Sequence, residues 1–366
     1  MKRFATYILT ALAACACVYP LDIDTEEYSG NTLVVDASII IGGKSTVTLS
    51  HLMPLDGGGF TYAGDGNAEV ILESDQGDKY SDSTAPYTIN TAGASAACKY
   101  RLVVKCDGKT YCSDWIKPLP APKISDVSFS ADERTVQVSV SANGQEGGQG
   151  YAAIQYDEIW KFHAEYVRIF DYNVLNNSID PIQEPDYTYY ICWNKSVNVQ
   201  ETLVDYTSTG GIVTEFPFLT FPRTNERNQY EYDILVKIRN LSPEEFRYFR
   251  HLEEGAGNGS LFSPEPGNAE SNVICESDPS EKVFGYVSVS CQDYYIATLD
   301  SRYHIYGNPG RLTSVDPEDY YKYYSMGYLP VNYSGNGIGW GTPRCYNCVS
   351  AGGTLFKPSF DLPNAE

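Results

Sequence analysis

Short runs of β-branched and aromatic residues, each cut off by glycine, proline or an Asp-Gly pair, recur along most of the chain. This recurrence sets the fold class. TLVVDASIII (32–41) and STVTLSHL (45–52) are separated by Gly42-Gly43. AEVILES (68–74) alternates and is followed by the turn-rich DQGDKYSDS. CKYRLVVKC (98–106) and KTYCSDW (109–115) are joined by Asp107-Gly108, the strongest short-range hairpin signal. Strands recurring every ~8–12 residues with turn signals between them predict sandwiches rather than a helical bundle. Composition agrees: 31 Gly and 20 Pro stand against 3 Met.

A chain of 366 residues is long for one domain, taking ~150 residues as a soft prior. The three prolines of KPLPAPK (117–123) favour an extended linker and mark the boundary. The fold expected is mainly β: two β-sandwich domains of the immunoglobulin or fibronectin-III kind. The first would span 31–118 and the second, larger, 122–366. ISDVSFS, RTVQVSVSA, YAAIQYDEIWKFHAEYV, TYYICWN and YEYDILVKIRN supply strands of the second, with GQEGGQG (144–150) as a flexible loop. One helix is predicted near 242–254. Ser242 is the N-cap, Pro243 suits the first helical position, Glu245 completes a capping box and Gly255 ends the helix. Phe246, Phe249 and Leu252 share a face, as a helix docked on a sheet requires. KVFGYVSVSCQDYYIATL reads as a further strand pair, and the last ~60 residues as loop-rich.

The N-terminus MKRFATYILTALAACAC has a charged start at Lys2 and Arg3, then a short apolar stretch, then small residues ending in cysteine. It is a secretory signal, too short to cross a bilayer, of the bacterial lipoprotein kind. Residues 1–16 would be removed and 17–30 would form an acidic tether. Asp22, Asp24 and Glu26 alternate within it, without the glycine and glutamate that a calcium loop needs. Cys17 or Cys15 carries the lipid. Ten cysteines stand at 15, 17, 98, 106, 112, 192, 275, 291, 345 and 348. Lipid on Cys17 leaves eight that can all pair, namely Cys98, Cys106, Cys112, Cys192, Cys275, Cys291, Cys345 and Cys348. An exported protein favours that parity. Pairing among eight is open, with Cys192 a natural partner for one member of Cys345-Tyr346-Asn347-Cys348.

Chemical motifs are sparse. The formal charge of −21 argues against a nucleic-acid partner and against electrostatic docking on an anionic membrane. Four histidines, at 51, 163, 251 and 304, fall in no paired zinc spacing. His163-Ala164-Glu165 with Pro343, Cys345 and Cys348 only loosely matches a zinc-deaminase pattern. No cofactor is expected and no catalytic constellation can be assembled, so the reading is non-enzymatic. Tyrosine is in excess: 31 residues, dense at 187–190, 294–295, 320–324 and 328. Such rings serve interfaces and stack on sugars, and they also suit half-buried strand faces.

Several segments together resemble one family. Cys17-Val18-Tyr19-Pro20-Leu21 followed by TLVVDASI, the hairpin YRLVVKCDGKTYCSD, ICWNKS and LSPEEFRYFRHLEE come first. GSLFSPEPGNAESNVICESDPSEKVFGYVSVS and CYNCVSAGGTLFKPSF follow in order. They resemble the domain-of-unknown-function family 4249 of Bacteroidota, from which this chain departs in its cysteines at 98, 106, 112, 275 and 291. The resemblance places the lipid on Cys17. It implies an outer-membrane lipoprotein, lipid-anchored and facing the cell surface, acting as a non-catalytic accessory or substrate-binding subunit beside a TonB-dependent β-barrel transporter. The alternative is an autonomous surface lipoprotein that binds a glycan or peptide.

Overall fold

The computed structural model describes residues 32–51, 68–144, 150–185, 187–258, 271–300, 312–335 and 337–362. The signal, Cys15, Cys17 and the tether lie outside them. The fold is mainly β, as the strand pattern requires, and its strands form two sandwiches.

The first sandwich sets one sheet, in the order β18-β1-β2-β5, against another, β17-β7-β6-β3-β4. Its early strands are β1 (Leu33–Ile40), β2 (Lys44–His51), β3 (Glu69–Ser74), β4 (Lys79–Asp82), β5 (Tyr87–Asn90), β6 (Tyr100–Cys106) and β7 (Lys109–Ser113). Burial alternates along β1: Leu33, Val35, Ala37 and Ile39 face the core, and Asp36 and Ser38 lie on the opposite side. Asp107 and Gly108 turn the β6–β7 hairpin with φ of 52° and 76°, the pair of positive values a tight primed turn demands.

The division at KPLPAPK needs correcting. Strands β17 (Val273–Cys275) and β18 (Val287–Ser290) belong to the first sandwich, where β17 pairs with β7 and β18 runs parallel to β1. The chain leaves that sandwich, builds the second, and returns. Gly285 makes the return feasible: its φ is +99° and a Cβ there would stand 2.1 Å from the Val35 carbonyl oxygen. The proline linker is itself pinned, since Leu119 exchanges backbone bonds with Val289 and Cys291.

The second sandwich faces β15-β9-β8 against β13-β10-β16-β19, with β14 also on β10. These are β8 (Lys123–Ala131), β9 (Thr135–Asn143), β10 (Tyr151–His163), β13 (Ile191–Val197), β14 (Thr202–Asp205), β15 (Ile212–Pro222), β16 (Glu231–Asn240) and β19 (Gln292–Asp300). A smaller unit follows from β11 (Phe170–Asn173), β12 (Ser178–Pro181), β20 (Thr313–Ser314), β21 (Leu329–Ser334) and β22 (Gly337–Gly341). Its centre is the buried Trp340, ringed by Tyr172 and by Tyr320 of the short helix α2 (Tyr320–Ser325).

Helix α1 (Pro243–Asn258) is wedged between the sandwiches and runs past Gly255. The Ser242 hydroxyl accepts from the Glu245 amide, so the cap is as predicted. The Glu245 carboxylate does something else: it receives Nη1 of Arg239 at 2.6 Å. Arg239 also donates from Nε and Nη2 to Glu201, at 2.9 and 2.7 Å, and from Nη2 to Ser38 of β1 at 3.2 Å. It is 1% exposed. Burial opposes its charge, but the Glu245 and Glu201 carboxylates outweigh that and hold its pKa above the usual arginine value. The buried face of α1 is Glu245 and Tyr248, while Leu252 is exposed, which shifts the predicted docking face by a third of a turn.

Two outcomes follow. Gly285→Ala should lower stability by at least about 1–3 kcal/mol, the usual cost of such backbone strain, read as a lower urea midpoint; an unchanged midpoint contradicts the close approach to β1. Asp36 concerns pH. Its Oδ1 accepts from the Tyr248 hydroxyl and the Tyr286 amide, and burial raises its pKa despite both bonds. A raised folded pKa means the linked stability is complete below the unfolded value and is lost as pH rises through the folded one. Asp36→Asn keeps an acceptor for both bonds, so wild type should lose stability relative to this variant from pH 4 upward. Parallel urea midpoints for the two across pH 4–8 would contradict burial as the cause.

Candidate functional site

Strand β13 is an edge of its sheet, and its pairing with β10 fixes which side chains share a face. Cys192 lies opposite Phe162 on the core side, and Trp193 opposite Lys161 on the outer side. Cys192 forms a disulfide with Cys348, 156 residues later. The sequence offered Cys192 as a partner for one member of the C-Y-N-C segment, and that member is Cys348. In the chain-entropy picture, closing so long a loop stabilises by ~5 kcal/mol. The segment after it returns to β13: Thr354 and Trp193 each donate to the other's carbonyl, at 2.8 and 2.7 Å. Gly353 permits this, because a Cβ there would meet Cys192 Cβ at 2.7 Å and the Phe162 ring at 2.8 Å.

The expectation that all eight cysteines pair is corrected. Cys98, Cys112, Cys275, Cys291 and Cys345 are thiols. Cys98 and Cys106 pack at the margin of the first core, and Cys275 lies within it. Cys112 lies on the other side of its sheet with Ile71 and Val103. Burial first, then a hydrogen bond to Glu276, pushes its thiol up to about 12. The deaminase-like pattern does not assemble, because Cys348 is in the disulfide and His163 stacks on a tyrosine. Among the described residues no group of three or more His, Cys, Asp or Glu is arranged to hold a metal ion.

An aromatic and cationic face lies on the outer side of the sheet, opposite the buried disulfide. The His163 ring stacks on Tyr190 at 5.1 Å and meets Tyr230 edge-on at 5.9 Å. His163 Nδ1 lies 2.6 Å from the Ala164 carbonyl, which can only accept. Lys161 Nζ stands 5.7 Å over the Trp193 ring and 5.8 Å over Tyr230, and Lys357 Nζ stands 4.9 Å over Trp193. Tyr187, Tyr189 and Phe356 project to solvent, Phe356 with 84% exposure. Rings of this kind can stack on the C–H face of a sugar or on a peptide side chain, and the cations beside them suit an anionic substituent. The tyrosine excess therefore divides: Tyr87, Tyr100, Tyr111, Tyr172, Tyr206, Tyr232 and Tyr248 are buried, while Tyr187, Tyr189, Tyr294, Tyr295, Tyr321, Tyr324 and Tyr333 are exposed.

Residues 18–295 match one protein family, described as "Domain of unknown function (DUF4249)". The chain belongs to that family. No curated protein matches it. Among solved structures, a two-domain fibronectin type III segment of chicken tenascin is similar over 58% of this chain and 92% of its own, at 12% identity and a TM-score of 0.17. The chicken interferon gamma receptor alpha chain is similar over 57% and 90%, at 8% identity and a TM-score of 0.15. The match to DUF4249 takes in the first sandwich, α1 and the second sandwich as far as the start of β19. Cys348 and the segment returning to β13 lie beyond it, so the aromatic face of this DUF4249 chain is built across the end of the family match.

Peptide mapping of the unreduced protein should recover Cys192 joined to Cys348. Recovery of Cys345 joined to either one would contradict the arrangement.

Proposed function

We propose that this DUF4249 protein is a non-catalytic, lipid-anchored surface protein of the outer membrane. In this reading it binds substrate as an accessory subunit of a TonB-dependent β-barrel transporter. The observation that carries it is the aromatic face: Tyr187, Tyr189 and Phe356 stand exposed in the segments flanking and returning to β13, an edge strand that carries Trp193 and is braced by a disulfide. Large rings held in place by covalent and β-sheet constraints lose little entropy on contact, which favours recognition. The anchoring rests on the N-terminal sequence, in which small residues run into Cys17 and an acidic tether follows. A lipid, rather than charge, suits attachment of a chain whose formal charge is −21.

The alternative, an autonomous glycan- or peptide-binding lipoprotein, draws on the placement of two lysines over one tryptophan ring. Extraction in mild detergent and affinity capture distinguish the two. The first reading expects a β-barrel to co-purify with the wild-type chain and to be lost with Tyr187→Ala/Tyr189→Ala/Phe356→Ala. Capture without any barrel overturns it, and glycan or peptide binding by the isolated ectodomain then supports the second. Mass spectrometry of the mature N-terminus should find an acylated Cys17; a chain starting elsewhere with no lipid removes the anchor from the account.

A further inference from the structure

Beyond the exposed rings, the sheet carrying β13 has an outer strip that the chain's own C-terminal segment occupies. The strand registers place Lys195, Ile159 and Asp233 in one row across β13, β10 and β16, and Val197, Asp157 and Leu235 in the next. All of them point away from the sandwich core. Even so, Leu235 is 0% and Ile159 1% exposed. Asp157 is equally shut in: its Oδ2 receives Lys237, while Oδ1 has no partner among the described residues.

The segment 354–362 runs over this side. Thr354 makes the two backbone bonds to Trp193, one step of strand addition on the edge of β13. Lys357 Nζ pairs with both Glu231 and Asp233. Lys195 Nζ donates to the Ser359 carbonyl and to the Asp361 carboxylate, each at 2.9 Å. Pro358, Phe360 and Leu362 are half-buried while Lys357, Ser359 and Asp361 are exposed, the alternation of a chain laid on a surface. The contacts are those of a bound peptide: main-chain pairing for affinity, and a cation and an anion for register.

We propose that this strip is a peptide-recognition face, occupied in cis by residues 354–362. It would accept from a partner an extended segment with a basic residue three positions after the edge-pairing residue and an acidic one four positions later. The proposal stands apart from any barrel partner, whose absence would leave it untouched.

The arrangement also says why such binding would be hidden in the intact chain. A tethered segment competes at an effective concentration on the order of mM. A full-length Lys357→Glu chain keeps Glu231 and Asp233 on the face but repels its own tail. The probe is a fluorescent synthetic peptide of residues 352–362, followed by anisotropy against both full-length chains. The variant should bind it at least tenfold more tightly than wild type, and a peptide with the same lysine reversed to glutamate should not bind. Amide exchange at Trp193 should be faster in the variant. Equal peptide affinity for the two chains overturns the proposal. So does unchanged exchange at Trp193, because Lys357 would then not hold the segment. If the reversal disturbs folding, Lys357→Ala gives the same comparison, with the same two outcomes expected and the same two results against it.

Discussion

A single buried guanidinium decides how the two sandwiches are joined. Arg239 lies on the outer face of β16, is fully buried, and is bonded to Glu201, to Glu245 of α1 and to Ser38 of β1. A charge taken out of water is costly unless its donors are satisfied, and here four acceptor atoms from three parts of the chain converge on it, two of Glu201 and one each of Glu245 and Ser38. Removing one partner of such a group typically costs about 3–5 kcal/mol, a large share of the ~5–15 kcal/mol that holds a typical domain together. The helix follows from this point. Glu245 cannot complete its capping box because Arg239 takes it, and the same turn presents Tyr248 to Asp36 and to the Tyr286 ring.

That junction accounts for the crossing topology. Once α1 is seated on the outer side of β1, the chain emerges beside the first sandwich, and β17 and β18 complete its two sheets. Gly285 allows the backbone to pass Val35. Only then does β19 join β16 at the far edge of the second sandwich. Each sandwich is therefore closed by residues that lie in sequence beyond part of the other.

Local features were legible in the sequence, and partner choice was not. Asp107-Gly108 declares its own hairpin, and Ser242 its own cap, because the physics acts within four residues. The β-branched run TLVVDASIII names a strand. Nothing local distinguishes Arg239 in VKIRN from a charge on an exposed strand, since its burial depends on residues 38, 201 and 245. VFGYVSV reads as a strand without saying which sheet it completes. Cysteine parity was a poor guide because it counts thiols without their distances: Cys112 and Cys275 lie on neighbouring strands but on opposite faces of the sheet. The candidate face was half legible. Tyrosine density pointed to 187–190, whereas Trp193, Lys161 and Lys357 are brought together by strand register and by the returning C-terminal segment.

The joint makes a thermodynamic claim that differential scanning calorimetry can address directly. If Arg239 couples the sandwiches, the wild-type chain unfolds in one cooperative transition whose calorimetric and van't Hoff enthalpies agree. In Arg239→Met the charge is gone and Glu201 and Glu245 lose their partner, so the transition should fall in temperature and separate into two. Two transitions in the wild type, or a single unshifted one in the variant, would contradict the account.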